Sequence, residues 1–376
     1  MAAIRLGRIA GIPIGIQPLW LVIVALLAWS LGDAWFPDRV AGIAPAAAYG
    51  LGAVSALLLF AGILLHEVGH AVVARRYGVE VQEIDLWLLG GVARLRGEPA
   101  RPGDELRFAI AGPAVTAVLL VVYAAAWLLV PADGWLDATL EYQVVVNAMI
   151  LGFNLLPAFP LDGGRVARAL LWRTSGDLLL ATDRAAAVGR FFAVLIAAVG
   201  VLALGGGLFG GAWLLVVAAF LYVAADAEAR FTHLEQALGG HTVAELAVPP
   251  VTLPAAATLE EAIRAFAAQR FTAFPVVDEQ GRAVGLLTIA RVRAVAAAAR
   301  AQRTAGEVAD RDPELRVAAS EPAMAVLQRP AFARVGRAVV VDDAGRAIGL
   351  VSRTDIERVM RVGELDRGHD QRLQPR

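Results

Sequence analysis

The sequence contains no cysteine and no lysine, and its 34 basic residues are all arginine. Without cysteine there can be no disulfide, no thiolate metal site and no cysteine nucleophile. A transition metal would therefore have to be bound by imidazole and carboxylate groups. The absence of lysine has the character of a coding bias, and no function is inferred from it.

Charged residues are also scarce, at 18% of the chain, whereas hydrophobic residues reach 58%. Soluble domains average about 25% charged and about 45–50% apolar residues. The excess of apolar residues therefore indicates a membrane protein, provided that these residues form long runs. The net charge of −1 is neutral evidence about nucleic acid, and no nucleic-acid partner is expected.

Long uncharged runs are present, and each can form a helix of the roughly 20 residues that cross a bilayer. We predict a polytopic α-helical membrane domain with six transmembrane helices over residues 1–225. The last run holds two of these spans because a glycine cluster interrupts it, and the first of the two begins before Arg190. The runs are residues 9–32, 41–65, 108–130, 142–161 and 191–225.

The arginine distribution predicts the orientation of these spans. With the N-terminus inside, every arginine up to Arg230 falls in an inner segment, except for Arg39. Cytoplasmic segments carry such an excess of basic residues. We therefore expect a multi-pass protein of the cell membrane, with the N-terminus and the C-terminal region in the cytoplasm.

The composition changes after residue 225, and an internal repeat follows. Residues 274–291 read FPVVDEQGRAVGLLTIAR, and residues 338–355 read AVVVDDAGRAIGLVSRTD. Each copy predicts a strand, an acidic-glycine turn, a second strand and a helix. The predicted parts are a linker helix at 226–242, α/β modules at 243–303 and 304–364, and a disordered tail at 365–376.

The most specific chemical signal is the sequence HEVGH at residues 66–70, which follows an apolar run. Residues four apart lie on one face of a helix, so His66 and His70 can bind one metal ion. Glu67 would then lie beside the open coordination position as a general base. A closed structural zinc site would need a fourth ligand, and residues 1–225 contain neither a cysteine nor another histidine.

A third metal ligand is available at Asp162, in the segment NLLPAFPLDGG at residues 154–164. This segment ends a predicted span that runs in the same direction as the span with His66 and His70. The three groups are therefore expected at similar depth, near the cytoplasmic side. The alternative is that Asp162 is an interfacial carboxylate at a helix end.

Together, HEVGH and NLLPAFPLDGG resemble the motifs of the site-2 protease family of intramembrane metalloproteases, in its six-span branch with CBS modules. The resemblance implies one Zn²⁺ per chain, bound by His66, His70 and Asp162. It implies that Glu67 activates water and that Asn154 stabilises the tetrahedral oxyanion. Residues 87–94 (WLLGGVAR) resemble the family's membrane-dipping loop, and residues 111–113 (AGP) its small-Gly-Pro segment.

The C-terminal repeat resembles a tandem pair of CBS modules, which often bind adenosine nucleotides. The family pattern ends each module with Thr/Ser-x-x-Asp, and the second copy retains it in Ser352 and Asp355. The first copy has Arg291 where the aspartate is expected, so nucleotide binding there is in doubt. The pair is expected to carry one adenine-nucleotide site, or none if it serves only as a scaffold for a homodimer.

The resulting expectation is an intramembrane zinc metalloendopeptidase that cleaves transmembrane segments of membrane proteins, with the CBS pair regulating its activity. Its partners would be transmembrane-helix substrates and the lipid bilayer. Two alternatives remain: a membrane transporter or sensor gated by the CBS pair, and a non-cleaving homologue. The order of HExxH and the later aspartate disfavours an ion pathway, which needs no such order.

Overall fold

The computed structural model describes residues 4–87, 90–97, 99–206, 210–269 and 271–359. It divides into two compact units, Met1–Arg230 and Phe231–Arg376. The predicted disordered tail at 365–376 lies outside the described residues.

The first unit begins with a β-hairpin of strands β1 (Ile4–Ile9) and β2 (Ile12–Ile16). The prediction that the first span begins at residue 9 was therefore wrong. Ile12, Ile14 and Ile16 alternate with smaller residues and are all buried, which is the pattern of a strand with one face in a core. An uncharged apolar run satisfies both a strand and a span, so hydropathy alone placed the boundary too early.

The first long helix starts where proline allows it. Helix α1 (Pro18–Ser30) has proline in its first turn, where the missing N–H costs no helical hydrogen bond. A π-helical turn, Leu31–Trp35, and a short helix α2 (Phe36–Arg39) extend it without interruption. Helix α3 (Pro45–Arg76) follows and contains the whole HEVGH segment.

Two further strands, β3 (Glu80–Trp87) and β4 (Gly90–Arg96), follow α3 and complete a sheet of order β1-β2-β3-β4. Strand β2 pairs with β3 in parallel, and β3 pairs with β4 in an antiparallel ladder. The segment before α1 and the segment after α3 thus belong to one sheet. The start of α1 and the end of α3 consequently lie on the same side of the unit.

Helix α4 packs against α3, α5 and α6, and α7 packs against α6. Five helices among the described residues are long and apolar enough to cross a membrane: Pro18–Arg39, Pro45–Arg76, Pro102–Trp127, Leu178–Gly205 and Gly210–Leu238. The unit is therefore a polytopic helical membrane domain with five candidate spans. The bounds are α4 (Pro102–Trp127), α5 (Trp135–Asn154), α6 (Asp162–Ser175), α7 (Leu178–Gly205) and α8 (Gly210–Leu238).

Two sequence predictions concern these helices. The run 191–225 does divide into two helices, and the first of them, α7, begins well before Arg190. The span predicted at 142–161 corresponds to α5, which ends at Asn154 and is not among the five candidates. Helix α5 carries Asp137, Glu141, Gln143 and Asn147, and these polar residues lower its apolar character.

The second unit contains two three-stranded sheets, of order β5-β6-β7 and β10-β9-β8. Each copy of the repeat forms strand, turn, strand and helix, as predicted. The helices are α9 (Val243–Leu246), α10 (Leu259–Gln269), α11 (Ile289–Arg293), α12 (Ala305–Val308), α13 (Ala323–Leu327) and α14 (Pro330–Val335). The strands are β5 (Leu253–Pro254), β6 (Ala273–Val277), β7 (Ala283–Thr288), β8 (Arg316–Ala318), β9 (Arg337–Val341) and β10 (Ala347–Ser352).

The two modules of this unit exchange their first helices. Val243 and Leu246 of α9 pack into the core that contains Val317 and Phe332 of the second module. In the reverse direction, Ala305 of α12 packs into the core of the first module. Neither module therefore completes its hydrophobic core without the other.

Candidate metal centre

The two histidines of HEVGH lie on one buried face of α3. His66 is 6% exposed and His70 is 4% exposed. Their Nε2 atoms are 3.1 Å apart. The four-residue spacing on a helix thus brings two imidazole nitrogens to one point, as the sequence predicts.

Asp162 joins the histidines from α6, of which it is the first residue. Its Oδ2 atom is 3.1 Å from His66 Nε2, and its Oδ1 atom is 3.2 Å from His70 Nε2. The three residues form a group whose ligand atoms all lie within 4.8 Å of one another. The structure therefore brings together the three side chains that the sequence singled out as metal ligands.

The outer nitrogens of both imidazoles have partners on α4. His70 Nδ1 lies 2.8 Å from the carbonyl oxygen of Phe108, and His66 Nδ1 lies 2.9 Å from Thr116 Oγ1. A carbonyl oxygen only accepts hydrogen bonds, so His70 Nδ1 must donate, which leaves the Nε2 lone pair of the neutral ring for a metal. Such outer partners fix the tautomer and orientation of metal-binding histidines.

Gly112 of α4 lies against both inner nitrogens. A Cβ atom at this position would be 2.2 Å from His70 Nε2 and 2.5 Å from His66 Nε2. Any side chain would therefore occupy the space into which the imidazole lone pairs point. Gly112 belongs to the site because only glycine leaves this space open.

Glu67 lies beside the histidines and under strand β4. A Cβ atom at Gly91 would be 2.3 Å from Glu67 Cγ, so the backbone of β4 rests directly on the Glu67 side chain. Strand β4 is at the edge of the sheet in the described part of the chain. The residue predicted as the general base thus lies between the metal-binding group and an edge strand.

Asn154 is the last residue of α5, ahead of the non-helical segment 155–161 that leads to Asp162. Among the described residues it makes no hydrogen bond to the histidine and aspartate side chains. Its predicted role concerns a reaction intermediate and stays a prediction.

The geometry of the three ligand side chains fits zinc. Zinc bonds to imidazole nitrogen and carboxylate oxygen are about 2.0–2.2 Å long, so two ligands of a tetrahedral site lie about 3.3 Å apart. Here the two Nε2 atoms are 3.1 Å apart, and each lies 3.1–3.2 Å from one of the two Asp162 carboxylate oxygens. Three protein ligands with a fourth position open are typical of a catalytic rather than a structural zinc site.

Comparisons with known proteins show the family of this chain. The description "Peptidase family M50" matches residues 54–141 and 130–199, and "CBS domain" matches residues 243–297 and 306–362. The Rip3 protein of Mycobacterium tuberculosis strain H37Rv is 36% identical over 374 residues, which cover 96% of this chain and 94% of Rip3. The chain belongs to the site-2 protease family, peptidase family M50.

Both a curated relative and a solved structure come from Methanocaldococcus jannaschii. The solved structure of a site-2 protease from that organism has 31% identity and a TM-score of 0.40, and covers 61% of this chain and 95% of that chain. The zinc metalloprotease MJ0392 is 30% identical over 370 residues, which cover 96% of this chain and 97% of that protein. From its family, its CBS matches and its candidate spans, this M50 chain is a multi-pass intramembrane zinc metalloprotease with a tandem CBS pair.

Sequence reasoning missed several residues that shape the M50 site. The Phe108 carbonyl and Thr116 carry no motif, because a backbone acceptor can come from any residue type and threonine is common in apolar helices. Gly112 was noted only within the AGP resemblance, without its contact to the imidazoles. The one available signal was spacing, since Phe108, Gly112 and Thr116 recur every four residues along α4.

In the CBS unit, Ser352 and Asp355 lie together at the start of the helical segment 353–359. The Ser352 backbone N–H donates to Asp355 Oδ2 at 3.0 Å, and the Ser352 hydroxyl donates to the same oxygen. The first copy differs, as its sequence suggests. Arg291 lies 2.9 Å from Asp310 Oδ2 and donates to the Val308 carbonyl.

Asp310 is the most enclosed carboxylate of this cluster, at 6% exposure. It also accepts a 2.7 Å hydrogen bond from Arg334 Nη1. Burial alone would raise the pKa of Asp310, but the hydrogen bonds from Arg334 and Arg291 hold it below its ordinary value. Two guanidinium groups thus keep this carboxylate ionised.

Proposed function

We propose that His66, His70 and Asp162 bind the catalytic zinc and that Glu67 is the general base of an endopeptidase that cuts transmembrane segments. The observation that carries this proposal is the convergence of two imidazole Nε2 atoms, 3.1 Å apart, and the Asp162 carboxylate, whose oxygens lie 3.1–3.2 Å from them. A divalent cation among these groups would be stabilised by both nitrogen lone pairs and by the negative carboxylate.

Zinc, when bound, supplies a Lewis acid for water and for the scissile carbonyl. The side chains of this site divide the remaining tasks. Glu67 takes a proton from the attacking water and returns it to the leaving amine. The hydrogen bonds of Phe108 and Thr116 keep the imidazole Nε2 atoms directed at the ion. Asn154 would stabilise the oxyanion of the tetrahedral intermediate.

Strand β4 is the expected docking site for substrate. A transmembrane helix must unwind before its carbonyls are accessible, and an unwound segment can add to an exposed strand edge by main-chain hydrogen bonds. The edge position of β4 and its contact with Glu67 support this assignment. A substrate strand on β4 would run past the general base.

The proposed topology has six spans, with α5 as the fourth. The first half of α5 is held at the far end of the unit, where Glu141 pairs with Arg39 and Asp137 accepts from Trp127. Its other end leads within eight residues to Asp162. A helix of 20 residues is about 30 Å long, which is enough to cross the hydrocarbon layer.

The arginine distribution then puts the N-terminus and the CBS pair in the cytoplasm. The sheet supports this orientation, because the strands before α1 and after α3 lie together and hold Arg5, Arg8, Arg94 and Arg96. On this proposal the membrane domain covers residues 1–225, the linker 226–242, and the CBS modules 243–303 and 304–364.

The CBS pair is proposed to regulate the protease, with one adenine-nucleotide site at Ser352 and Asp355. In the first copy, Arg291 stands at the position that Asp355 occupies in the second copy. Its guanidinium pairs with Asp310, which supports the absence of a second nucleotide site. A homodimer through the CBS modules is the alternative use of this unit. Membership of a peptidase family disfavours the transporter and the sensor. The presence of His66, Glu67, His70 and Asp162 disfavours the non-cleaving homologue.

Glu67→Gln is the variant that tests the proposal. We expect cleavage of a single-span substrate in proteoliposomes to fall about 10²–10⁴-fold, which is the usual contribution of a general base. Zinc content, measured by elemental analysis of the detergent-solubilised protein, should stay at one ion per chain. Wild-type protein without zinc, or a Glu67→Gln variant that cleaves normally, would refute the assignment.

A further inference from the structure

Among the described residues of the membrane unit, the most deeply buried charges are Glu105 on α4 and Arg168 on α6. Arg168 is 0% exposed and Glu105 is 1% exposed. Arg168 Nε donates to Glu105 Oε1. This ion pair joins two helices 63 residues apart in the sequence, outside the metal-binding group itself.

Such a pair is not needed for stability as such. Removing two charges from water is costly, and replacing a buried pair by well-packed neutral groups is often neutral or stabilising. The reason for retaining this pair is therefore to be sought in what it holds in position.

Glu105 lies on the same stripe of α4 as the residues that orient the histidines. Phe108, Gly112 and Thr116 follow it at intervals of three, four and four residues, which keep one face of a helix. Phe108 accepts from His70, Gly112 adjoins both imidazoles, and Thr116 contacts His66. Glu105 thus anchors the helix that sets the imidazole positions.

Arg168 lies on the helix that begins with Asp162. It also stacks on the ring of Phe159, with 5.5 Å from its Cζ atom to the ring centroid, so it holds the segment leading into α6 as well. Glu228 of α8 adds a second carboxylate, 3.3 Å from Arg165 Nη2 and 3.8 Å from Arg168 Nη1. Arg168 thus fastens the carboxylate ligand's helix on two sides.

We infer that Glu105 and Arg168 are positioning residues for the zinc site, setting the distance between the Asp162 carboxylate and the two imidazoles. This inference rests on the proposed zinc ligands. A shift of α6 against α4 would move the carboxylate relative to both imidazoles at once. The ion pair resists that shift because a charge-assisted hydrogen bond between a guanidinium and a carboxylate is strong and directional.

The test is zinc affinity of the full chain in detergent, measured by competition with a chelator. The neutral pair Glu105→Gln/Arg168→Met removes both charges and leaves neither buried alone. We expect at least tenfold weaker zinc binding and an altered visible absorption spectrum of the Co²⁺-substituted protein. The matched control is Arg39→Met/Glu141→Gln, which removes another interhelical pair of the same unit, and should leave both readouts unchanged.

Wild-type zinc affinity in the neutral pair would overturn the inference, and so would an equal loss in the control. If the neutral pair does not fold, Arg168→Lys decides. It keeps the charge but loses the forked geometry, and should bind zinc severalfold more weakly at an unchanged melting temperature of the metal-free protein. Unchanged zinc affinity in Arg168→Lys would overturn the inference. Wild-type protein that binds no zinc would instead refute the proposed function itself.

Discussion

The two units of this protein use the same charged groups in opposite ways. In the membrane unit, the pairs of the metal site and its surroundings are buried and join distant parts of the chain, as His66 and Asp162 do. In the CBS unit, several pairs are local and solvent-exposed, such as Asp278–Arg282 and Asp342–Arg346 at spacing i,i+4. Asp310 is the exception there, since it is buried between two arginines.

The comparison distinguishes charged groups that support function from charged groups that only interact with solvent at the surface. An exposed pair is screened by water and contributes little, whereas a buried pair interacts strongly and is damaging when broken. The expected effect of a substitution should therefore follow burial and connectivity rather than the number of ion pairs. Three substitutions test this order, from the metal site to the exposed turns.

The largest effect is expected for Gly112→Ala. The added Cβ would overlap the Nε2 atoms of His66 and His70, so the imidazoles could not approach one ion. We expect zinc affinity to fall at least about 100-fold, the upper end of the effect of disturbing groups around a metal ligand, and cleavage to fall with it. Chelator competition and elemental analysis measure the loss.

Gly152→Ala is the matched control, because a Cβ at Gly152 in α5 would meet no atom within 4 Å. The same change of residue type should leave zinc binding intact and add slightly to helix stability. Full zinc affinity in Gly112→Ala would mean that α4 lies farther from the imidazoles than described here.

The metal-binding side chains were predictable from the sequence, and much of their surroundings was not. The histidines of HEVGH are recognisable from their four-residue spacing, which puts them on one face of a helix. Asp162 is recognisable from the helix-breaking residues around it at the end of an apolar run. The contribution of α4 depends on a backbone carbonyl, a hydroxyl and the absence of a side chain at Gly112. None of these has a signal of its own, because each acquires its role only when α3 and α4 pack together.

Helix boundaries failed for a related reason. Residues 9–16 are apolar and uncharged, which suits a membrane helix, yet Ile12, Ile14 and Ile16 alternate as in a strand. Pairing with β3, more than 60 residues away, decides between the two. In the CBS unit the repeat predicted both hairpins, but the exchange of α9 and α12 between modules depends on contacts that no local pattern encodes.

An intermediate effect is expected for Asp310→Asn. Replacing a buried carboxylate that accepts from two arginines by a neutral amide should lower the free energy of unfolding of the CBS unit by about 2 kcal/mol at pH 7. The pKa of Asp310 is lowered by folding, so its stabilisation is present above the unfolded pKa of about 4 and is lost as the pH falls through the folded pKa. The difference between wild type and variant should therefore shrink on acidification.

Hydrogen exchange of CBS peptides from the intact protein, at increasing urea and at pH 7 and pH 3, measures this difference. Asp343→Asn is the control, since Asp343 is exposed in the same unit and its substitution should change nothing at either pH. A gap between wild type and Asp310→Asn that widens at pH 3 would contradict the assigned role of Asp310.

The smallest effect is expected for Arg282→Ala, although its guanidinium makes a 3.0 Å contact with Asp278. The turn is held chiefly by the backbone, because Asp278 Oδ1 accepts from the N–H groups of Gln280 and Arg282. The Arg282 backbone N–H is also the main cause that lowers the pKa of Asp278. Arg282→Ala keeps these bonds and should not measurably change hydrogen exchange of the turn, at low or high salt.

Asp278→Ala removes these backbone hydrogen bonds and should speed hydrogen exchange of the turn severalfold. Equal effects of the two variants would mean that the exposed ion pair, and not the backbone hydrogen bonds, stabilises the turn. Burial would then be a poor guide to how much an ion pair stabilises this protein.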